Sequence, residues 1–229
     1  MNTPMGLAHF WQQADAIIQG VAVLLFLMSV LSWTLIAARF VSQLRLNRAM
    51  EQAFNAFWSA QDIPAALTAI ERADRSDIFA GLARAGAQAA DTHARHAAQG
   101  IGAGVSISEF VTRALRNHIV RSQAQIESGL TFLASVGSTA PFIGLFGTVW
   151  GIYHALVGLS GASTVVLDKV AGPVGEALIM TAAGLFVAIP AVLAYNALTR
   201  ANRLVLAQLD GFAHDLHAYL TTGARLVQG

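Results

Sequence analysis

Three long stretches without a charged residue constrain this chain more than any other feature. They cover residues 16–38, 128–167 and 177–199, which are 23, 40 and 23 residues long. A helix needs about 20 mainly apolar residues to cross the hydrocarbon core of a bilayer. The middle stretch exceeds one crossing, so its centre is predicted to span and its ends to overhang. The sequence therefore predicts an all-α membrane protein with three transmembrane helices.

Composition excludes several other classes of protein. Charged residues make up only 12% of the 229 residues, against about 25% in soluble domains. The chain has no cysteine, which excludes a disulfide-stapled scaffold and a thiolate metal site. A net charge of +1 with scattered arginines forms no basic stripe, so nucleic acid is not expected as a partner.

The positions of lysine and arginine predict the orientation of the spans in the membrane. Eight of them flank the predicted inner ends of the spans, whereas Lys169 alone lies on the other side, and cytoplasmic flanks retain positive charge. A cleaved secretory signal is disfavoured because no Lys or Arg precedes Arg39. The predicted order is an outer N-terminus at 1–15, transmembrane helices at 16–38, 128–159 and 173–199, a cytoplasmic helical domain at 39–127, an outer loop at 160–172, and a cytoplasmic amphipathic helix at 200–229.

The cytoplasmic segment is predicted to be helical, since it is rich in alanine and carries charges of both signs. Asp62 with Pro64 is predicted to start one helix and Asp77 to cap another. Ser106 and Glu109 have the spacing of a capping box, and their helix is predicted to run unbroken into the second span. The third span is predicted to continue as an amphipathic helix through an apolar stripe of Val205, Leu209, Phe212, Leu216 and Leu220.

This segment gives little support for a metal-binding, phosphate-binding or catalytic function. Asp91, His93 and His96 suggest a metal site only weakly, because a solvated face explains them better and no fourth ligand is evident. The glycines at 100, 102 and 104 lack the strand and lysine of a phosphate loop, so a hinge is expected. No nucleophile elbow occurs. Neither a metal, a cofactor nor an enzymatic activity is therefore expected.

Glycines recur every seven residues along the second span and form a smooth face. Such a face lets neighbouring helices approach closely, and a matching stripe of small residues follows in the third span. Pro141 is predicted to bend the second helix. The predicted helix-packing positions are Gly137, Gly144, Gly147, Gly151, Gly158, Pro141, Gly184 and Pro190.

Three polar residues of these spans are candidates for lining a proton pathway. Thr148 and Thr181 either bond their own helix carbonyls, as threonines in membrane helices usually do, or face a cavity. Glu176 is either a carboxylate stabilised at a helix start or a group in a polar interior, since a buried membrane charge is costly. His154 is interpreted as a packed, neutral imidazole in preference to a proton relay.

Two long motifs resemble a known family. Residues 140–152 read APFIGLFGTVWGI, and GEAL at 175–178 is followed by Thr181 and by AIPAV at 188–192. In order, span number and inner domain the chain resembles the ExbB/TolQ/MotA proton-channel family of bacterial inner-membrane proteins. The segment AGPVGE at 171–176 departs slightly from the family pattern and is more similar to the ExbB branch.

The resemblance implies an assembly. It predicts a homopentameric ring in the inner membrane of a Gram-negative bacterium, with the second and third spans around a pore that holds the membrane helices of an ExbD-like partner. The titrating aspartate then belongs to that partner, the positions of Thr148 and Thr181 face it, and Glu176 is required. The outer side is then the periplasm, and the proton motive force energises a TonB-like protein for iron-siderophore transport.

Other interpretations stay open from the sequence. A TolQ-like subunit of the Tol-Pal envelope system has the same architecture. A structural membrane scaffold without ion flow would use Glu176 only as a helix cap. A flagellar MotA-type stator is disfavoured because four spans are expected there, and a transporter is disfavoured because no inverted repeat is found.

Overall fold

The computed structural model describes residues 15–96, 104–158 and 168–223, with the side chains of 96 and 168–171 excepted. All regular structure in these ranges is helical. The predicted all-α class is therefore confirmed. The helices are α1 (Ala16–Trp58), α2 (Ile63–Ala73), α3 (Phe79–His96), α4 (Ile107–Ile126), α5 (Leu130–Val157) and α6 (Asp168–Thr222).

Three of the helices, α1, α5 and α6, are long and apolar enough to cross a membrane. This confirms the predicted number of candidate spans. At 43 and 55 residues, α1 and α6 are more than twice the length that a crossing needs. Both helices therefore extend well beyond their apolar stretches, as predicted for the third span.

The chain divides into two compact units. The first unit comprises residues 1–39 and 129–197, and in its described part α5 packs antiparallel to both α1 and α6. A Cβ atom placed on Gly151 would lie 3.4 Å from the Ile18 side chain, and one on Gly147 would lie 3.2 Å from Val21. Small residues on α5 thus bring α1 close to its backbone.

The second unit comprises residues 40–128 and 198–229 and has an apolar core. Phe54 stacks on Phe212 with ring centroids 4.6 Å apart, and the Phe79 ring meets Phe54 edge-on. The predicted stripe of α6 lies in this core, with Val205, Leu209, Phe212 and Leu216 buried and Leu220 partly buried. Burial of these side chains against α1, α3 and α4 gives the amphipathic part of α6 its partners.

Helix caps in the second unit agree with the sequence in two places and differ in a third. The Asp62 carboxylate accepts from the backbone N–H of Ala65, and Ser106 accepts from that of Glu109. The cap of α3, however, is Asp74, whose Oδ2 accepts from the N–H groups of Phe79 and Ala80 at 2.7 and 2.9 Å. The prediction that Asp77 caps this helix is wrong, since Asp77 has a left-handed backbone (φ +58°) and pairs with Arg84.

Two helix boundaries differ from expectation. The helix opened by Ser106 ends at Ile126, and Gly129 (φ +82°) separates it from α5, so it does not run unbroken into the second span. Only glycine adopts this backbone conformation readily. Helix α6 begins at Asp168, with Pro173 inside it, whereas the sequence placed the start at Gly172 and Pro173. Residues 160–167 of the predicted loop 160–172 lie outside the described residues.

Large apolar side chains cover the outside of the first unit. Phe26 of α1, Phe142 of α5 and Phe186 of α6 are 67%, 71% and 69% exposed. An apolar surface of this extent marks contact with lipid or with other protein subunits.

Candidate functional site: a hydroxyl pair between two membrane helices

Helices α5 and α6 meet backbone to backbone at two glycines. A Cβ atom placed on Gly144 would lie 2.5 Å from the carbonyl oxygen of Met180, and one on Gly184 would lie 2.6 Å from that of Ala140. No real side chain tolerates such distances. The close approach therefore depends on glycine on both helices.

One turn beyond this contact, two threonine hydroxyls meet across the helix interface. The Oγ1 atoms of Thr148 and Thr181 lie 2.6 Å apart, and either can donate. Thr148 Oγ1 also lies 3.0 Å from the carbonyl oxygen of Ala177 on α6 and 3.2 Å from that of Gly144 on its own helix. Thr148 is only 5% exposed, whereas Thr181 is partly exposed. The pair is accessible from the Thr181 side.

Glu176 lies on α6 directly before Ala177, whose carbonyl accepts from Thr148. Its side chain is partly buried. Because α6 begins at Asp168, Glu176 is eight residues into the helix, beyond the first turn in which the helix dipole favours an acid. The interpretation of Glu176 as a helix-start carboxylate is therefore wrong.

The remaining predicted packing residues fall into two groups. Gly137 meets the Val192 side chain, Gly151 faces Ala177, and Gly147 faces Met180. Gly158 differs, because it is the C-cap of α5 and an added Cβ would meet, among the described residues, only carbonyl oxygens of its own helix. Pro141 and Pro190 lie inside α5 and α6.

Sequence reasoning missed a contact between α1 and α5. Trp150 Nε1 donates to Asp15 Oδ2 at 3.1 Å, and His154 Nε2 lies 3.6 Å from the same oxygen. His154 is partly exposed, at 47%, and is not the fully packed imidazole that was expected. The sequence does place a carboxylate, Asp15, just before one span and an indole, Trp150, near the end of another, and these positions could have indicated the contact.

The weak metal candidate of the second unit is occupied by other contacts. The Asp91 carboxylate pairs with Arg95, and His93 Nε2 lies 2.9 Å from the carbonyl oxygen of Val105. The side chain of His96 lies outside the described residues. Within the ranges that the structure describes, no group of three His, Asp or Glu residues is placed to hold a metal ion.

These features define a class: a helical membrane protein with three candidate spans, two of which hold a hydroxyl pair between them, with a glutamate on one of these two helices. Comparison with protein families matches residues 76–210 to the MotA/TolQ/ExbB proton channel family. The chain belongs to this family, which confirms the resemblance read from its motifs.

Individual relatives have similar lengths. The chain is 47% identical over 208 residues to the biopolymer transport protein ExbB of Xanthomonas campestris pv. campestris, covering 90% of this chain and 82% of the relative. It is 40% identical over 220 residues to ExbB of Neisseria meningitidis, covering 94% and 97%. It is 34% identical over 207 residues to the Tol-Pal system protein TolQ of Pseudomonas aeruginosa, covering 90% and 89%.

Proposed function

We propose that this chain is the ExbB-type subunit of a proton-driven motor in the inner membrane of a Gram-negative bacterium. With an ExbD-like partner it uses the proton motive force to energise a TonB-like protein for outer-membrane transport. The observation that carries the proposal is the Thr148–Thr181 hydroxyl pair, held between two glycine-packed helices, one of which carries Glu176. Identity to ExbB proteins of 40–47%, against 34% to TolQ, favours the ExbB branch.

The chemistry of the pair requires a partner. A threonine hydroxyl hydrogen-bonds but does not titrate in the physiological range, and the uncharged stretches contain no aspartate. The chain therefore supplies a polar wall, and a single-span partner of the ExbD type supplies the acid that takes up and releases protons. One proton moving down 100 mV releases about 2.3 kcal/mol, so mechanical work requires several.

The proposed assembly is a homopentameric ring in which α5 and α6 of each copy surround the partner's helices. Thr181 is the accessible member of the pair, so it faces the pore, with Thr148 behind it. The exposed aromatic side chains Phe142 and Phe186 are then covered by neighbouring copies or by lipid. The arginine-rich ends of the helices lie in the cytoplasm, which places the N-terminus in the periplasm.

The proposal is tested with Glu176→Ala and Thr181→Ala in a strain that lacks its own ExbB and carries the cognate ExbD-like and TonB-like proteins. Both variants should lose growth on an iron-siderophore as the sole iron source while accumulating normally in the membrane. Thr139→Ala is the matched control, because Thr139 is exposed on α5 and its hydroxyl donates to the Ser135 carbonyl of its own helix. Full activity of both site variants would favour a structural scaffold without ion flow.

The second candidate is a TolQ-like subunit, which the 34% identity to the Pseudomonas aeruginosa protein supports. Expression in strains that lack either ExbB or TolQ separates the two functions. Rescue of siderophore-dependent growth supports the proposal. Rescue of envelope integrity alone would replace it with the Tol-Pal function.

A further inference from the structure

The ends of α1 and α5 carry a cluster of Asp15, Trp150 and His154, which we name the outer clamp. The Trp150 indole N–H donates to Asp15 at 3.1 Å, and His154 approaches the same carboxylate oxygen to 3.6 Å. The rings of Trp150 and His154 lie 4.9 Å apart and 33° from parallel. One carboxylate, directly before the start of α1, therefore contacts two consecutive turns of α5.

The outer clamp lies close to the hydroxyl pair along α5. Trp150 is two residues after Thr148, and in the next residue of α5, Gly151, the helix backbone faces Ile18 of α1. These contacts join α1 to the same stretch of α5 that carries Thr148.

Two members of the clamp, Asp15 and His154, carry ionisable side chains. The hydrogen bond from Trp150 lowers the pKa of the Asp15 carboxyl from its ordinary value of 3.8, although desolvation opposes this, so the carboxylate stays ionised. Histidine side chains change charge between about pH 5 and 8. Among the described side chains, the other titratable groups near the clamp are Tyr153, whose ring contacts His154, and Glu176 of α6, next to the Ala177 that meets Gly151.

We propose that Asp15 and Trp150 are positioning residues, which hold α1 against the turn of α5 that carries Thr148, and that His154 strengthens this hold when the outer medium is acidic. This proposal rests on the proposed function, because the orientation proposed there places the clamp on the periplasmic side of the membrane. Protonation of His154 adds a charge-assisted contact to a carboxylate that already accepts from the Trp150 indole and the backbone of Ala16. The positioning of the pair is thereby coupled to the proton concentration that drives the motor.

The physical contact is tested by fluorescence without reference to transport. A variant with Trp11, Trp33 and Trp58 replaced by Phe leaves Trp150 as the only indole, and an imidazolium in contact with an indole quenches its emission. In lipid nanodiscs, emission should fall as the pH is lowered through the histidine range, from about 8 to about 5. The same protein with His154→Gln should show no such fall. An unchanged pH response in His154→Gln would overturn the role of His154.

A transport assay provides the second test of the proposal. The ratio of siderophore uptake at about pH 5.5 to that at about pH 7.5 should drop by roughly twofold in His154→Gln and in Asp15→Asn, as expected for a partly exposed ion pair. Asp15→Asn keeps an acceptor for Trp150 and removes only the charge. Trp150→Phe should lower uptake at both pH values, and Tyr153→Phe, an exposed neighbour, should behave as wild type.

The outcomes separate the two proposals. Wild-type ratios in both His154→Gln and Asp15→Asn would overturn the clamp and leave the proposed function intact. A His154-dependent fluorescence change in a protein that energises no uptake would refute the proposed function and support the contact.

Discussion

At the scale of single residues, the site is built from a hydroxyl that is almost fully buried and shared by two helices. Thr148 lies within hydrogen-bonding distance of one hydroxyl and two carbonyl oxygens, although it has one proton to donate. Interhelical hydrogen bonds of this kind contribute little stability in membranes, about 0.6 kcal/mol on average. Their arrangement is therefore better explained by a functional role than by a need for stability.

Replacing Thr148 separates these two roles. Thr148→Val keeps the shape and removes the hydroxyl, so it should lower stability by only about 1 kcal/mol while abolishing siderophore-dependent growth. Thr148→Ser restores the hydroxyl and should restore growth. Thermal unfolding of the purified proteins and growth assays measure the two effects, and equal growth of the Val and Ser variants would contradict a role for the hydroxyl.

At the scale of helices, α6 needs a glycine where it contacts α5, at Gly184, but not at Gly211. Gly184→Ala places a carbon 2.6 Å from the Ala140 carbonyl oxygen, so the helices must separate, at an expected cost of about 1–3 kcal/mol. Gly211→Ala is the control on the same helix, since a Cβ there meets open space and should stabilise the helix by about 0.5–1 kcal/mol. Melting temperatures of the two variants should move in opposite directions.

The cap of α3 provides a second prediction at this scale. Asp74 is buried, at 4% exposed, and accepts from the backbone N–H groups of Ser76, Phe79 and Ala80. Asp74→Ala leaves these donors unpaired and should cost about 2 kcal/mol, which lowers the melting temperature by about 5 °C. Asp77→Asn tolerates the left-handed backbone and loses only an exposed ion pair, so it should melt within about 1 °C of wild type. A larger shift for Asp77→Asn than for Asp74→Ala would contradict the assignment.

At the scale of the whole molecule, the predicted orientation is open to direct measurement because the chain has no cysteine. Gly158→Cys, at the end of α5, should react with a membrane-impermeant thiol reagent added to cells whose outer membrane is permeabilised. Gln61→Cys, which is exposed in the second unit, should react only after the inner membrane is opened. The reverse labelling pattern would invert the topology and remove the basis for a periplasmic clamp.

Much of this architecture could be predicted from local sequence, and the exceptions share a cause. The spans and the residues Thr148, Thr181 and Gly144 were evident because charge-free runs and helical spacing are local patterns. The Asp74 cap was missed because its carboxylate reaches five and six residues ahead, beyond the usual capping distance. The contact between Asp15 and Trp150 joins residues that are 135 positions apart in the chain. A local sequence pattern does not indicate which residues of two antiparallel helices lie at the same depth in the membrane.

The hydroxyl pair has one property that a carbonyl at the same place would lack. Since either Thr148 or Thr181 can be the donor, rotation of two O–H bonds reverses the local dipole while every heavy atom stays in place. The wall therefore offers a hydrogen to an arriving carboxylate and a lone pair to an arriving carboxylic acid. In the proposed assembly, the pair can therefore hydrogen-bond to a partner's acid both before and after that acid changes its protonation state.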